Sequence, residues 1–413
     1  MRLLIVSQYF WPESFIINDL VKHLVGNGHQ VTVLTGKPNY PGGTIYPGYT
    51  QLGLQSELFF ETVPVHRVPL SPRGPGGAKK LAFNYLSFAW SGLRYFPRLV
   101  RKHDFDGILV FAPSPITSAI PAILLKYIKR AHLAIWVQDL WPQSLKATGF
   151  VRSPWLLGMM GWVVRGIYYF ADTILIQSRA FMKPVACYAD PQKIVYYPNS
   201  IDQGALSGND TPLPEDLLRL LDDKFCLVFA GNLGAAQSLD TICEAAALLR
   251  DLPDCKIVMV GTGSMIGRVL EIKEALNLDN LLLVGQFPMS AMSRIFSLAA
   301  GLLVTLKDEE IFSYTIPSKI QAYLAAGKPI IAAINGEGAR VIEEAGAGLT
   351  CAAENSKGLA DRIRELYTMT GHDRRVLGEA GKSYFNKHFD MAHQARCLVD
   401  IFDKRNANEQ RKG

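Results

Sequence analysis

The stretch SYTIPSKIQAYLAAGKPI, residues 313–330, predicts a loop, a helix and the start of a strand. Pro317 suits the first turn of the helix because it has no amide hydrogen to lose, and Gly327 suits the helix end. Lys319 would lie in that first turn, beside backbone amides that have no partner within the helix. Since amides and ammonium group both favour an anion, the stretch predicts a phosphate-binding helix start; the alternative is an ordinary solvated lysine.

Three strands upstream of this helix end in glycine-bearing turns. Residues 226–230 lead into GNLG, residues 256–260 into GTGS, and residues 281–284 into GQFP. Such loops bring backbone amides close to a phosphate. One glycine turn is weak evidence, since strand-to-helix turns often contain glycine. Three in succession, followed by Lys319, favour a phosphate site in the second half of the chain.

The first half opens with the same alternation of strand and helix. Residues 3–7 and 29–35 are apolar, and residues 15–25 have a helical period, which predicts the opening of a parallel doubly wound sheet. The first loop carries Glu13 and Ser14 and leads into a helix start, where ligands of such folds bind. It contains no GxGxxG, which argues against a nicotinamide or flavin dinucleotide.

Two further positions of the first half point to a ligand. Residues 37–49 are dense in Pro, Gly and Tyr and predict a long ordered loop, either a lid or acceptor-binding segment that includes Tyr40, or a plain connector. Asp139 follows the apolar strand at residues 133–137. A carboxylate at the carboxyl end of a parallel strand faces the ligand side of the sheet, unless it caps a helix.

A basic and aromatic segment follows Glu61. No acidic residue occurs between Glu61 and Asp104, whereas arginines and lysines are frequent. Residues 79–102 predict a helix suited to anionic lipid head groups; nucleic acid is the competing partner, and a core helix with solvated arginines is the structural alternative. We favour lipid and predict membrane contacts at four residues: Phe83, Phe88, Trp90 and Arg94.

Length and composition limit the class of protein. A chain of 413 residues fits two domains of about 200 residues each. With 49% hydrophobic and 19% charged residues it is globular. The six cysteines have no metal-ligand spacing, which argues against zinc, iron–sulfur and disulfide frameworks and favours a reducing cytoplasm. The N-terminal residues lack a small-residue cleavage site, so we expect no signal peptide there, and no apolar run reaches the roughly 20 residues of a spanning helix.

Taken together, these motifs resemble the GT-B glycosyltransferases, specifically family 4 nucleotide-sugar transferases of bacterial polysaccharide assembly. The residues that carry the resemblance are QDLWP (138–142), PNSID (198–202), GNLG (231–234), GTG (261–263) and PSK (317–319) through AAGKP (325–329). The resemblance implies an α/β protein with two Rossmann-like doubly wound domains facing across a cleft. Residues 1–200, with a returning helix at 391–405, would bind the acceptor, and residues 201–388 the nucleotide sugar.

The resemblance also implies an activity. It is closest to the N-acetylfucosaminyltransferases, so the expected reaction is retaining, metal-independent transfer of a hexose, such as N-acetylfucosamine, from a UDP-sugar to an undecaprenyl diphosphate-linked saccharide in O-antigen or capsule assembly. No cofactor and no nucleic acid are expected, and the protein would lie peripherally on the inner face of the cell membrane. The alternatives are a nucleotide-sugar epimerase of the same fold and a non-catalytic nucleotide-sugar-binding scaffold.

Site residues follow from the resemblance, with Lys319 and Asp139 as the catalytic pair. Acceptor contacts would come from Glu13, Ser14 and Tyr40. Donor contacts would come from ten residues: Gly231, Asn232, Leu233, Gln237, Gly261, Gly263, Phe287, Ser318, Gln321 and Glu337. Many relatives have Arg and Lys where this chain has Asn232 and Gln237, and a ribose-binding Glu where it has Ala322. We expect Gln321 or Glu337 to replace that Glu, and favour Glu337 because it lies in a loop after a strand.

Overall fold

The computed structural model describes residues 1–74, 77–147, 153–206 and 211–410, with the backbone alone for residues 146–147, 205–206 and 406–410. The chain divides into two compact units. Unit 1 comprises Met1–Asn199 and Met391–Gly413, and unit 2 comprises Ser200–Asp390.

Unit 1 is built on an eight-stranded sheet. Its strands are β1 (Arg2–Ser7), β2 (Gln30–Gly36), β3 (Gln55–Phe59), β4 (Val63–Val68), β5 (Gly107–Ala112), β6 (His132–Val137), β7 (Thr173–Ile176) and β8 (Ile194–Tyr196). Their order in the sheet is β3-β4-β2-β1-β5-β6-β7-β8. All pairings are parallel except that between β3 and β4. Every residue of β5 and β6 is buried, as expected for parallel strands whose two faces are both covered by helices.

Helices connect these strands. They are α1 (Ile16–Gly26), α2 (Ala78–Leu99), α3 (Ile120–Lys129), α4 (Gln143–Ala147), α5 (Pro154–Phe170) and α6 (Met182–Ala186). Short 3-10 turns lie at Ile116–Ala119, Arg179–Phe181 and Pro191–Lys193. The order of the strands reverses between β1 and β5, and the carboxyl ends at such a reversal are where open α/β sheets bind ligands.

Unit 2 repeats this plan with a six-stranded parallel sheet. Its strands are β9 (Phe225–Ala230), β10 (Cys255–Val260), β11 (Leu281–Leu283), β12 (Gly301–Thr305), β13 (Ile330–Ala333) and β14 (Gly348–Cys351). Their order is β11-β10-β9-β12-β13-β14, so the order reverses at β9. The turn that follows β9 therefore lies at the position where a ligand is expected.

The helices of unit 2 cover both faces of its sheet. They are α7 (Glu215–Asp223), α8 (Leu239–Leu248), α9 (Ile266–Ala275), α10 (Met289–Leu298), α11 (Glu310–Ser313), α12 (Ser318–Ala326), α13 (Glu337–Glu344), α14 (Ser356–Thr368) and α15 (Gly371–His388), with 3-10 turns at Gln203–Leu206 and Ala235–Gln237. The last helix, α16 (Met391–Gln410), belongs to unit 1, where it packs on α1 and the Tyr197 hydroxyl donates to the Gln394 carbonyl at 2.9 Å.

Candidate active site

Unit 2 contains a pocket of about 530 Å³ at the carboxyl ends of β9 and β10. Lys319, Ser318 and the turns after both strands line one part of it, and apolar side chains line the rest. The lining residues are Ile201, Ala230, Gly231, Asn232, Val260, Gly261, Thr262, Gln286, Phe287, Met289, Met292, Phe296, Ser318, Lys319, Ala322 and Tyr323. Among the residues that the structure describes, no group of three or more His, Cys, Asp or Glu side chains could hold a metal ion.

Lys319 provides a cation in this pocket. It is the second residue of α12, whose preceding residue, Pro317, offers no side-chain cap to the helix amides. The Lys319 ammonium donates to Gln237 Oε1 at 2.5 Å and lies 3.6 Å from the centroid of the Phe229 ring. Burial lowers the pKa of Lys319 to about 7. An anion at this position would restore the charged form and gain a strong charge-assisted contact.

Two glycines allow the backbone to pass close to this lysine. Gly231 has a φ of +127°, and a Cβ on it would lie 2.8 Å from Lys319 Cε. Gly261 has a φ of +140°, and a Cβ on it would lie 1.9 Å from the Gly231 carbonyl oxygen. The amide of Gly231 donates to the Val260 carbonyl at 2.9 Å. The missing side chain at Gly231 therefore makes room for Lys319. The Gly231 amide is already hydrogen-bonded to the Val260 carbonyl.

The predicted donor residues divide into two groups. Gly231, Asn232, Gly261, Phe287 and Ser318 line the pocket together with Lys319. Gln237 acts on the pocket through its hydrogen bond to the lysine.

Leu233 and Gly263 fall outside the pocket lining. Leu233 is 1% exposed and its side chain packs in the core of unit 2, so only its backbone is left for the predicted donor contact. Its amide donates to the Thr262 carbonyl at 2.9 Å, which ties the two turns together. Gly263 follows the pocket residue Thr262 and lies against the Leu233 carbonyl, where a Cβ would come within 2.4 Å. The absence of a side chain at Gly263 therefore lets the two turns pack closely against each other.

Neither proposed replacement for the ribose-binding glutamate reaches the pocket. Gln321 is 2% exposed and lies on the buried face of α12. Glu337 begins α13 and is 5% exposed, and its carboxylate accepts from Arg340 Nε at 2.9 Å and Nη2 at 3.0 Å. The expectation that Glu337 faces the ligand is wrong because this carboxylate is paired with the arginine one turn further along its own helix.

Several pocket residues were not predicted. Tyr323 is the most informative, because its hydroxyl accepts from the Ala230 amide at 2.9 Å and so fixes the end of β9. Ala322 and Tyr323 follow Lys319 by three and four residues, so helical spacing places all three on one face of α12. This spacing is visible in the sequence and could have predicted that Ala322 and Tyr323 lie beside Lys319. The apolar residues of α10 gave no such signal, because they read as ordinary core residues.

In unit 1, Asp139 lies just beyond the carboxyl end of β6. Trp141 Nε1 donates to Asp139 Oδ2 at 3.3 Å. Burial raises the pKa of Asp139, against hydrogen bonds from Ser144, Trp141, the Leu140 amide and Ser114 that lower it. The carboxylate is thus held in place, half-buried, by its neighbours.

Glu13, predicted to contact the acceptor, is a buried residue. It is 1% exposed, and its carboxylate accepts from the amides of Phe10 at 3.2 Å, Asn39 at 2.8 Å and Tyr40 at 2.7 Å. Burial raises the pKa of Glu13 to about 7 despite these donors. The predicted ligand contact by Glu13 is therefore wrong: the side chain binds the two loops to each other. Ser14 is exposed, and Tyr40 is 38% exposed.

The predicted membrane residues of α2 lie on different faces. Phe83 is 68% exposed, Trp90 is 70% exposed, and Arg94 is exposed. Phe88 is fully buried and packs edge-on against Phe96, with ring centroids 5.9 Å apart. Its predicted membrane contact is wrong because that side of the helix packs inward. In the described part of the chain, no helix combines the length and apolar character that crossing a membrane requires.

A second helix of unit 1 also exposes aromatic side chains. Trp155, Trp162 and Tyr169 of α5 are each 73% exposed. They are seven residues apart, which places them along one side of the helix. Because α3 packs against both α2 and α5, the two helices with exposed aromatic residues share a neighbour.

Both halves of the chain match known protein families. Residues 15–200 match the glycosyl transferase 4-like domain, and residues 217–384 match the glycosyl transferases group 1. Over 350 residues, the chain is 24% identical to the putative colanic acid biosynthesis glycosyl transferase WcaI of Escherichia coli strain K12, covering 79% of this chain and 82% of WcaI.

Solved structures share the fold over nearly the whole chain. Sucrose-phosphate synthase from Thermosynechococcus elongatus superposes with a TM-score of 0.71 and 16% identity, covering 98% of this chain and 99% of that one. Anabaena HepE in complex with UDP superposes with a TM-score of 0.67 and 12% identity, covering 98% of this chain and 100% of that one. The two parallel-sheet Rossmann-like units predicted from the sequence are thus confirmed as the fold.

Proposed function

We propose that this chain, a glycosyltransferase with the GT-B fold, transfers a sugar from a UDP-linked donor to a lipid-linked saccharide during O-antigen or capsule assembly. The donor sugar is an N-acetylated deoxyhexose such as N-acetylfucosamine. Similarity to WcaI, whose name assigns it to colanic acid biosynthesis, supports a role in polysaccharide assembly. The resemblance of the sequence motifs to N-acetylfucosaminyltransferases supports the choice of sugar.

Unit 2 binds the donor. The observation that carries this assignment is the Lys319 ammonium in the pocket, set against the Phe229 ring and the Gly231 turn. A diphosphate is the anion that such a cation at an uncapped helix start favours. The apolar remainder of the pocket suits the flat base of a nucleotide, with Phe287 and Gln286 at its edge. Uridine is supported as that base because HepE, which shares the fold, was crystallised in complex with UDP.

The chemistry requires charge neutralisation at the leaving group. The bond between the anomeric carbon and the diphosphate oxygen breaks, a bond from that carbon to the acceptor hydroxyl oxygen forms, and the hydroxyl proton is released. Lys319 neutralises the departing diphosphate as the anomeric carbon becomes cationic, which a fixed ammonium can do without a metal. The reaction retains the anomeric configuration and forms no covalent enzyme intermediate.

Unit 1 binds the acceptor at the carboxyl edge of its sheet. Asp139 is the candidate group that contacts the acceptor hydroxyl and accepts its proton. Its half-buried carboxylate, whose pKa is raised, is a better proton acceptor than an exposed aspartate. Ser14 and Tyr40 are the exposed residues available for contacts to the acceptor sugar.

Peripheral binding to the inner face of the cell membrane would bring the protein to its lipid-linked acceptor. The exposed aromatic residues of α2 and α5, together with the basic residues of α2, support this part of the proposal. Tryptophan and phenylalanine insert at the level of lipid head groups, and arginines bind anionic lipids.

A thermal-shift screen of nucleoside diphosphates tests donor binding. UDP at about 100 times its dissociation constant adds roughly 2.7 kcal/mol to the free energy of unfolding, which raises the melting temperature. Incubation with UDP-N-acetylfucosamine and a lipid-linked acceptor, with and without EDTA, should yield the same product, whose anomeric configuration NMR determines. An epimerised UDP-sugar released without any acceptor would contradict the transferase proposal.

Vesicle sedimentation tests the membrane assignment. Combined Phe83→Ser and Trp90→Ser substitutions should weaken binding to anionic vesicles about tenfold, because two interfacial side chains are lost. Phe60, 62% exposed at a turn of unit 1, provides the control as Phe60→Ser. Equal sedimentation of both variants would show that α2 does not bind lipid.

A further inference from the structure

A loop segment of unit 1 is held rigidly by two buried amide side chains. Asn84 and Asn39 are both fully buried. Asn84 Nδ2 donates to the Ser71 carbonyl at 2.6 Å, and Asn39 Oδ1 accepts from the Arg73 amide at 3.1 Å. The Ser71 amide donates to Ser87 Oγ at 2.8 Å. These bonds fix the backbone of Arg73 although it lies outside any helix or strand.

The Arg73 side chain lies over an aromatic wall. Its guanidinium carbon is 4.9 Å from the centroid of the Tyr40 ring and 5.9 Å from that of Tyr9. Tyr9, Phe15 and Tyr40 pack on one another, with ring centroids 5.2 to 5.7 Å apart. The half-buried guanidinium therefore packs against these rings.

No carboxylate of the described residues forms an ion pair with Arg73. Its own segment contains no acidic residue, because none occurs between Glu61 and Asp104. Glu13, the nearby carboxylate beneath the loop, is occupied by three backbone amides. Among the residues that the structure describes, the cation is thus positioned without a carboxylate counter-charge.

Arg73 and Asp139 both influence one phenol, that of Tyr85. The charges of both affect Tyr85, since Arg73 lowers its pKa and Asp139 raises it, although burial has the largest effect. The Tyr85 ring lies 6.2 Å from the Trp141 ring, and Trp141 donates to Asp139. Arg73 therefore lies in the same neighbourhood of unit 1 as Asp139, the candidate acceptor carboxylate.

We propose that Arg73 binds the diphosphate group of the acceptor, so that this edge of unit 1 selects sugars that carry a phosphate ester. The inference rests on the proposed function and adds to it the residue that recognises the acceptor's charge. Guanidinium matches phosphate oxygens with two parallel N–H donors, which a lysine cannot do. Tyr40, which is 38% exposed, and the half-buried Phe15 offer an aromatic surface to the neighbouring sugar or lipid.

Calorimetric titration of the full-length protein, saturated with UDP, tests the proposal. Inorganic pyrophosphate is one probe and farnesyl diphosphate the other, so that free diphosphate and a lipid-linked diphosphate are compared. Arg73→Ala should weaken binding of both probes at least about tenfold, and Arg73→Lys should recover only part of the loss. Arg374, which lies over Phe225 at 5.1 Å at the opposite, amino end of β9, provides a matched control as Arg374→Ala.

The outcomes separate this proposal from donor binding. If farnesyl diphosphate binds more tightly than pyrophosphate and both depend on Arg73, the result supports a lipid-linked acceptor. If the two probes bind equally and both depend on Arg73, the result supports a site that recognises the diphosphate alone. Absence of binding to the wild-type protein, or equal binding to Arg73→Ala, overturns the proposal. UDP binding is expected to be unchanged in Arg73→Ala. Repeating the titration in Lys319→Met without UDP tests Arg73 even if the donor assignment fails.

Discussion

Two helices of unit 2 begin with the same dipeptide, and only one of them lines the pocket at the carboxyl ends of β9 and β10. Helix α12 begins with Ser318-Lys319 and helix α14 with Ser356-Lys357. Lys319 lines the pocket, with its ammonium against Phe229 and Gln237. Lys357 is exposed to solvent. The difference shows that a lysine in a first helical turn does not define an anion site.

What differs is the residue before each helix and the strand beside it. Asn355 caps α14, since its side chain accepts from the Gly358 amide at 2.8 Å. Pro317 leaves α12 without a side-chain cap, and α12 starts at the edge where the sheet order reverses. A helix N-terminus that has no side-chain cap and lies where the strand order reverses can bind a ligand anion. A helix N-terminus at the surface whose amide is already bonded to a capping side chain has less to offer an anion.

Removal of each lysine gives the sharpest contrast. Lys319→Met should lower turnover by about 10² to 10³-fold, because a fixed charge at the leaving group is lost. Lys357→Met should change turnover less than about twofold, as for a solvated surface residue. Steady-state kinetics with a saturating acceptor measure both. Equal turnover in the two variants would remove the distinction between the helices.

Gly231→Ala should have the next largest effect. The added Cβ would lie 2.8 Å from Lys319 Cε, at a φ of +127° that side chains rarely adopt. We expect UDP affinity to fall about tenfold as the lysine is displaced, with a destabilisation of about 1 to 3 kcal/mol from backbone strain. Calorimetry with UDP and chemical unfolding separate the two effects. If Gly231→Ala bound UDP as tightly as the wild type, the Lys319 side chain would have an alternative position that still contacts the ligand.

The pH dependence of UDP binding should distinguish Lys319 from a permanently charged group. The ammonium form binds the diphosphate, and the pKa of Lys319 is lowered to about 7, so affinity is lost as the pH rises through that value. The dissociation constant should rise about fivefold between pH 7 and pH 8 in the wild type. Lys319→Arg keeps its charge and should show no such rise. An identical rise in both proteins would assign the titration to another group.

The cap of α14 should affect stability alone. Asn355→Ala removes the hydrogen bond to the Gly358 amide and should lower the free energy of unfolding by about 1 kcal/mol. UDP affinity should be unchanged, because α14 does not line the pocket. Chemical denaturation and calorimetry provide the two measurements. A loss of UDP binding would connect α14 to the site after all.

Most of the fold could be predicted because buried parallel strands are continuous apolar runs. β1, β6, β9 and β10 are such runs, and each was identified. The strands β3, β4, β12 and β14 were not predicted. β3 alternates between exposed and partly buried residues up to Phe59, and β14 is partly exposed throughout, so neither has the strong apolar signal of a central strand.

The candidate site was only partly predictable, because burial depends on partners distant in sequence. Phe88 and Trp90 are two residues apart in one aromatic helix, yet one is buried and the other exposed. Glu337 was placed at the ligand by its position after a strand, but its partner Arg340 was overlooked. Arg73 had no motif around it, and only the packing of Tyr9 and Tyr40 reveals its orientation.

The sequence by itself determined the alternation of strands and helices, the glycine turns and the helix that begins beside Lys319, since these depend on local periodicity and backbone freedom. Tertiary structure alone decided which charged groups are buried, paired or available, because burial and ion pairing depend on residues that the fold brings together from distant positions. Lys319 and Lys357 both follow a serine at a helix start, and the elements packed around each helix make only Lys319 a half-buried cation beside the pocket.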